Sequence, residues 1–133
     1  MLRYMLDTNI CIYTIKNNPA AVREKFQQHQ NHLCISSIVL SELLYGAEKS
    51  SQPEKSLALI EGMAARLEVL NFDEHAAAHA AEIRADLARK GTPIGHYDVL
   101  IAGHARSHGL VLVSNNLREF ERVDGLRLEN WVV

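Results

Sequence analysis

The chain alternates between short, nearly continuous apolar runs and longer segments in which apolar residues recur every three or four positions. The short runs, which are typical of buried strands, lie at residues 2–7, 33–36, 68–72 and 110–114. The longer segments predict helices at residues 10–15, 19–30, 37–49, 53–66, 73–90 and 96–108. Because strands alternate with helices, the pattern predicts an α/β fold with a central parallel sheet flanked by helices on both faces.

Two further features lie near the ends of the chain, an acid after the first apolar run and an apolar segment in the last eight residues. After the first run, Thr8 or Asn9 can cap the first helix, which leaves Asp7 free to bind a ligand at the carboxyl edge of the sheet. The alternative is that Asp7 is only part of the cap. At the other end, residues 126–133 predict a short edge strand, with Trp131 packed on the core.

Composition is typical of a folded globular protein. The 133 residues are 47% apolar and 23% charged, and we expect one domain spanning residues 1–133. Cys11 and Cys34 lie inside apolar runs, so we expect two reduced thiols in the core of a cytoplasmic protein. No segment resembles a membrane span or a secretion leader, so we expect neither membrane insertion nor secretion.

The overall charge gives little support to a polyanionic partner. The net charge is −2, with a pI near 6.4, whereas many nucleic-acid-binding proteins are strongly basic. A nucleic-acid substrate is not excluded, because acids concentrated in one metal site and bases around it would give the same total.

Two acids lie beside apolar helix faces. Glu42 falls on the same side of its predicted helix as Ile38. Asp98 opens a helix whose next residues are apolar without a break, so we expect that helix start to be buried. Each acid has an ordinary alternative role, as a flank residue whose carboxylate reaches water or as a first-turn acid that stabilises the helix dipole. Together with Asp7, they suggest three carboxylates at one edge of the sheet.

Carboxylates crowded together repel each other unless a cation lies between them. Ligands that are all oxygen suit a hard ion, so we expect Mg²⁺ or Mn²⁺. An ion that leaves most of its coordination to water and substrate is suited to phosphodiester hydrolysis. It can lower the pKa of the attacking water and neutralise charge on the phosphate.

Two histidine pairs have the i,i+4 spacing that zinc ligands often show, His75 with His79 and His104 with His108. Neither pair contains the glutamate that follows the first histidine of a metalloprotease motif. His104 also lies about 120° around its helix from Asp98 and should not share the site of that acid. We therefore interpret these histidines as surface residues or as hydrogen-bonded core residues.

Four motifs, in order along nearly the whole chain, resemble those of PIN domains, and in length and motifs the chain is similar to the VapC toxins of type II toxin–antitoxin systems. The motifs are Met5-Leu6-Asp7-Thr8-Asn9, Ser41-Glu42-Leu43-Leu44-Tyr45-Gly46, Pro93-Ile94-Gly95 with Asp98-Val99-Leu100-Ile101-Ala102, and Val113-Ser114-Asn115-Asn116 with Glu119-Phe120. Each motif alone is weak evidence for the family. The occurrence of all four in the order of the family makes the evidence strong. The resemblance implies a PIN fold and a Mg²⁺- or Mn²⁺-dependent endoribonuclease.

The resemblance also assigns roles to individual residues. The metal-binding catalytic acids of the family match Asp7, Glu42 and Asp98. The supporting polar positions match Thr8 or Asn9, and Ser114.

The chain departs from the family pattern in the last motif. Many PIN domains have a fourth acid where this chain has Asn116, and Glu119 is the nearest candidate to replace it as a catalytic acid. A neutral Asn116 can still support the site by holding a water on the metal. The departure leaves open whether one or two metal ions bind.

The partners implied by the resemblance are an antitoxin and RNA. A cognate VapB antitoxin would cover the active site with its C-terminal segment, the toxin would form a homodimer, and the larger complex with VapB would bind operator DNA. The members most similar in these motifs cleave initiator tRNA in its anticodon stem-loop, which inhibits translation. Basic side chains that could contact phosphates are Arg84, Arg89, Lys90, Arg106, Arg118 and Arg122.

Three other functions also fit an acid at a strand end. A haloacid-dehalogenase-type phosphatase needs a second aspartate where Asn9 stands, and a receiver domain needs an acid pair after its first strand and a lysine after its last. The sequence has neither feature. The third alternative is a PIN-like module that binds RNA or protein without cutting it. The three intact acids favour the enzyme over that module.

Overall fold

The computed structural model describes residues 1–132, along which five strands alternate with seven helices. The strands are β1 (Tyr4–Leu6), β2 (Leu33–Ser36), β3 (Glu68–Leu70), β4 (Val111–Val113) and β5 (Arg127–Glu129). The helices are α1 (Thr8–Lys16), α2 (Ala20–Gln28), α3 (Ser37–Glu48), α4 (Pro53–Ala64), α5 (Glu74–Arg89), α6 (His96–Ser107) and α7 (Leu117–Phe120).

The five strands form one parallel sheet in the order β3-β2-β1-β4-β5. Met5 in the central strand pairs with Cys34 on one side and with Leu112 on the other. The predicted α/β class and parallel sheet are confirmed. The strands β2 and β3 lie on one side of β1, and β4 and β5 lie on the other. The direction of strand addition therefore reverses at β1, and this switch opens a crevice at the carboxyl edge.

The core lies where the helices cover the central strands. Met5 and Leu6 are fully buried, as are the thiols of Cys11 and Cys34, which form no disulfide. Burial raises the pKa of the Cys34 thiol to about 12, which keeps it neutral, as expected for a core residue. Trp131 is buried, as predicted.

The predicted edge strand at residues 126–133 is present as β5, and Val133 lies outside the described residues. The strand β2 matches its predicted run, whereas the other four strands are shorter than theirs. The short helix α7 was not predicted, because four residues are too few to show a helical period. No helix in residues 1–132 combines the length and the hydrophobicity needed to cross a bilayer.

Candidate active site

Asp7 follows β1 directly and lies at the carboxyl edge of the sheet, with a side chain only 6% exposed. Its Oδ1 accepts a hydrogen bond of 2.9 Å from the backbone N–H of Ile10, so Asp7 caps α1. The prediction that Thr8 or Asn9 would be the cap is wrong, because α1 begins at Thr8 and the extended backbone of Asp7 supplies the cap geometry. The capping bond uses one carboxylate oxygen.

Burial raises the pKa of Asp7 above its ordinary value, and the nearby charge of Glu42 raises it further. Hydrogen bonds from the Ser114 hydroxyl and from the Ile10 N–H lower the pKa and offset part of this effect. Ser114 is itself fully buried after β4, the strand that pairs with β1. The carboxylate is therefore held in place by groups from two adjacent strand ends.

Glu42 lies in the middle of α3 and is partly buried. Its Oε1 accepts a hydrogen bond of 3.0 Å from the Thr8 hydroxyl, which joins α3 to the first turn of α1. This contact places the carboxylate beside Asp7, as the charge of Glu42 felt by Asp7 also shows. Glu42 therefore faces the crevice, whereas a simple flank residue would point to water.

Asp98 lies in the first turn of α6, after Gly95. A Cβ at Gly95 would lie 3.3 Å from Asp98 Oδ2, so the absence of a side chain there leaves room for the carboxylate. The start of α6 is less buried than predicted, because His96 and Tyr97 are exposed and Asp98 is partly buried. The apolar run after Asp98 buries only the later residues of the helix.

Burial raises the pKa of Asp98 to about 6, together with a hydrogen bond to the Glu119 carboxyl and the charges of Glu119, Asp7 and Glu42. A hydrogen bond between two carboxyl groups needs a proton, and the raised pKa favours the proton on Asp98. The structure thus brings Asp7, Glu42 and Glu119 within electrostatic range of Asp98.

The polar residues after β4 organise this edge in different ways. The Ser114 hydroxyl accepts a hydrogen bond of 2.9 Å from the Asn116 N–H. The Asn116 amide donates to Glu119 Oε2 at 3.2 Å, so Asn116 orients the fourth acid. Sequence reasoning did not identify Asn115, whose amide donates to the Tyr13 hydroxyl at 3.1 Å. Asn9 is exposed, and no hydrogen bond of its side chain is present in residues 1–132.

Comparison with known proteins extends these observations. A family model described as PIN domain matches residues 4–126. The chain belongs to the PIN domain family. It is 62% identical to the tRNA(fMet)-specific endonuclease VapC of Shigella flexneri over 98% of its own length and 99% of that protein.

Two solved structures share the fold of this PIN domain. One is the DNA-bound VapBC of Salmonella typhimurium, with a TM-score of 0.94 and 62% identity over 98% of this chain and 99% of that chain. The other is VapBC2 of Rickettsia felis bound to a promoter DNA fragment, with a TM-score of 0.92 and 40% identity over 98% and 99% of the two chains.

The donor atoms of this PIN domain fit a hard divalent ion. The four acids offer only oxygen ligands, and burial together with the charges of the other acids raises the pKa of Asp98. As they are placed in residues 1–132, no three side chains of His, Cys, Asp or Glu form a group that could hold a metal ion. Mg²⁺ commonly binds one or two carboxylates and keeps several waters, so an open set of acids suits it better than a cage would.

Neither predicted histidine pair is among the groups that shift the pKa of Asp7 or Asp98. His75 and His108 are exposed, and His79 Nδ1 accepts a hydrogen bond from Arg106 Nε at 2.9 Å. His104 is fully buried, and neither ring nitrogen has a hydrogen-bond partner in the described chain. The prediction that a buried histidine here would be hydrogen-bonded is therefore wrong, because aromatic and apolar groups surround the ring.

Part of the predicted basic set is already engaged within the PIN domain. Arg106 pairs with Glu82 at 2.8 Å, and Lys90 pairs with Asp86 at 2.9 Å. Arg122 donates to the Pro93 carbonyl. The remaining three are exposed: Arg84, Arg89 and Arg118.

Proposed function

We propose that this chain is the toxin of a type II toxin–antitoxin module, a Mg²⁺- or Mn²⁺-dependent endoribonuclease that hydrolyses an RNA phosphodiester. The observation that carries the proposal is the convergence of Asp7, Glu42, Asp98 and Glu119 at the carboxyl edge of the sheet. The four carboxylates come from separate elements, and each has a hydrogen bond or a charged neighbour. The stability of the fold does not require such a cluster of acids. The relatives support it, because they are named endonuclease or ribonuclease.

In the proposed mechanism, Asp7, Glu42 and Asp98 would hold the divalent ion. When bound, the ion would neutralise charge at the phosphate and lower the pKa of the attacking water. Thr8 keeps the Glu42 carboxylate turned toward the crevice, and Ser114 fixes that of Asp7.

Glu119 has a separate role in this mechanism. The Asn116 amide holds its carboxylate beside Asp98, where it can accept a proton from the attacking water. It therefore replaces the fourth acid that Asn116 does not provide.

The proposed substrate is initiator tRNA, cut in its anticodon stem-loop, with inhibition of translation as the result. The name of the Shigella flexneri relative, which specifies tRNA(fMet), supports this choice at 62% identity. The identity extends over 98% of this chain, so it includes every element that carries a site acid.

The proposed partner is a VapB antitoxin, because the solved neighbours are VapBC complexes, two of them bound to DNA. A groove of about 400 Å³ between α1, α3 and α4 offers an apolar surface for a segment of that partner. Ile12, Leu43 and Leu59 line it, and Glu42 lies at its border. We propose that the toxin is a homodimer and that the larger complex binds operator DNA.

Cleavage of total cellular RNA by the purified protein tests the proposed reaction and substrate together. We expect one dominant cut in a tRNA anticodon stem-loop when Mg²⁺ or Mn²⁺ is present and none after chelation, with the ends mapped by sequencing. Folded protein that binds RNA and never cuts it with either ion would instead support the PIN-like binding module. Cleavage that is lost in Glu119→Gln and unchanged in Asp98→Asn would overturn our assignment of the metal ligands.

A further inference from the structure

Two tyrosines beside the site acids expose their rings to solvent. Tyr45 is 66% exposed and Tyr97 is 58% exposed, whereas Phe26, Phe120 and Trp131 are buried in the core. Each exposed ring lies on a helix that carries a site acid. Tyr45 follows Glu42 by three residues on α3, and Tyr97 directly precedes Asp98 on α6.

The position of Tyr45 is defined by its helix and by a lysine. Residues three apart on a helix are surface neighbours, with Cβ atoms about 5–6 Å apart, so the Tyr45 side chain leaves the helix next to that of Glu42. The Lys49 ammonium lies 4.8 Å from the centre of the Tyr45 ring. The three salt bridges of residues 1–132 involve Lys90 and Arg106, so Lys49 is free to meet an anion.

The apolar groove assigned to the antitoxin does not include this pair. The α3 residues that line the groove are Glu42, Leu43, Gly46 and Ala47. Tyr45 and Lys49 do not line the groove and lie at its Glu42 edge, about 60° and about 20° around the helix from Glu42. A protein segment in the groove would therefore leave the Tyr45–Lys49 pair without an assigned function.

Because this protein carries a net negative charge, its binding of RNA needs favourable contacts in addition to electrostatic attraction. The net charge is −2, and the acids at the site repel phosphates until a cation binds. Single-stranded RNA loops are commonly bound by stacking of unpaired bases on exposed aromatic rings. Tyr45 and Tyr97 lie three residues and one residue from site acids, so they are the exposed rings nearest along the helices to a phosphate bound at the acids.

We propose that Tyr45 and Tyr97 stack on the RNA bases on either side of the scissile phosphodiester, and that Lys49 contacts a phosphate beside Tyr45. The inference rests on the proposed ribonuclease function and names how the same site holds its substrate. Both tyrosines are binding residues with no part in the chemical step.

Binding of the initiator tRNA anticodon stem-loop tests this proposal, with Asp7→Asn as the background so that the RNA stays intact. We expect Tyr45→Ala and Tyr97→Ala each to weaken binding by roughly 5- to 100-fold, the range found for loss of one stacked base. Tyr45→Phe and Tyr97→Phe keep a ring and should bind like the background. Val69→Ala is the matched control, because Val69 is exposed on the edge strand β3.

A second arm uses RNA that lacks one base next to the cut site. Removing the base that stacks on Tyr45 should weaken binding to the background protein and cause no further loss in Tyr45→Ala. The inference would be overturned if the losses of affinity from removing the base and from Tyr45→Ala were fully additive. It would also be overturned if the alanine variants bound intact RNA as tightly as the background protein. So would alanine variants that lose affinity for the antitoxin and none for RNA.

Failure of this inference is separable from failure of the proposed function. If the parent protein cuts no RNA with Mg²⁺ or Mn²⁺, the ribonuclease assignment fails and the stacking proposal fails with it. If the parent cuts RNA and both alanine variants cut it with unchanged KM, only the stacking proposal fails.

Discussion

At the scale of single residues, His104 combines complete burial with ring nitrogens that have no hydrogen-bond partner in residues 1–132. Its ring packs edge-on against Phe72, and the His108 ring is also 5.5 Å away. Burial lowers the pKa of His104, the charge of His108 lowers it further, and Asp73 partly opposes both effects. The i,i+4 spacing predicted the pairing of the two rings, but spacing alone cannot show what packs around a ring.

This environment predicts that acid destabilises the protein through His104. Because the folded pKa lies below the unfolded value of about 6.5, the unfolded chain takes up the proton first as the pH falls. The stabilising contribution is complete above that value and is lost below it. Urea unfolding at about pH 7.5 and about pH 5.5 should show a smaller loss in His104→Leu than in the parent. Equal losses in the two proteins would contradict the assignment.

At the scale of secondary-structure elements, the close contact of α5 with α6 positions the helix that carries Asp98. A Cβ at Gly103 would lie 2.5 Å from the Ala80 backbone nitrogen, so only glycine permits this approach. The sequence predicted both helices from the period of their apolar residues. It could not predict the contact, because a helical pattern does not specify which neighbour approaches most closely.

Gly103→Ala should therefore separate the two helices. We expect a loss of about 1–3 kcal/mol in the free energy of unfolding, the usual cost of overpacking, together with slower RNA cleavage because Asp98 moves. Gly62→Ala on α4 is the matched control, since a Cβ there meets nothing within 4 Å. It should be neutral or more stable by up to about 1 kcal/mol. Equal stability of the two variants would refute the close-contact interpretation.

At the scale of the whole molecule, the sequence predicted the fold class, the parallel sheet and the identity of the four acids. The acids were visible because each one interrupts an apolar pattern or matches a family motif. Their convergence required the strand order β3-β2-β1-β4-β5, which places the ends of β1 and β4 side by side. The cap at Asp7 was predicted from the sequence only as an alternative, and the hydrogen bond from the Asn116 amide to Glu119 became visible only in three dimensions.

The central claim is that these acids cut RNA by means of a divalent ion, and cleavage of a tRNA anticodon stem-loop tests it most directly. In Mg²⁺, we expect Asp7→Asn and Asp98→Asn each to cut at least about 100-fold more slowly than the parent. Both should remain folded, because Asn caps a helix about as well as Asp at position 7 and the Asp98 side chain makes no cap bond at the start of α6. Asp124→Asn, which changes an exposed acid paired with Lys90, should cut normally. Parent rates in both site variants, or undiminished cleavage after chelation, would contradict the claim.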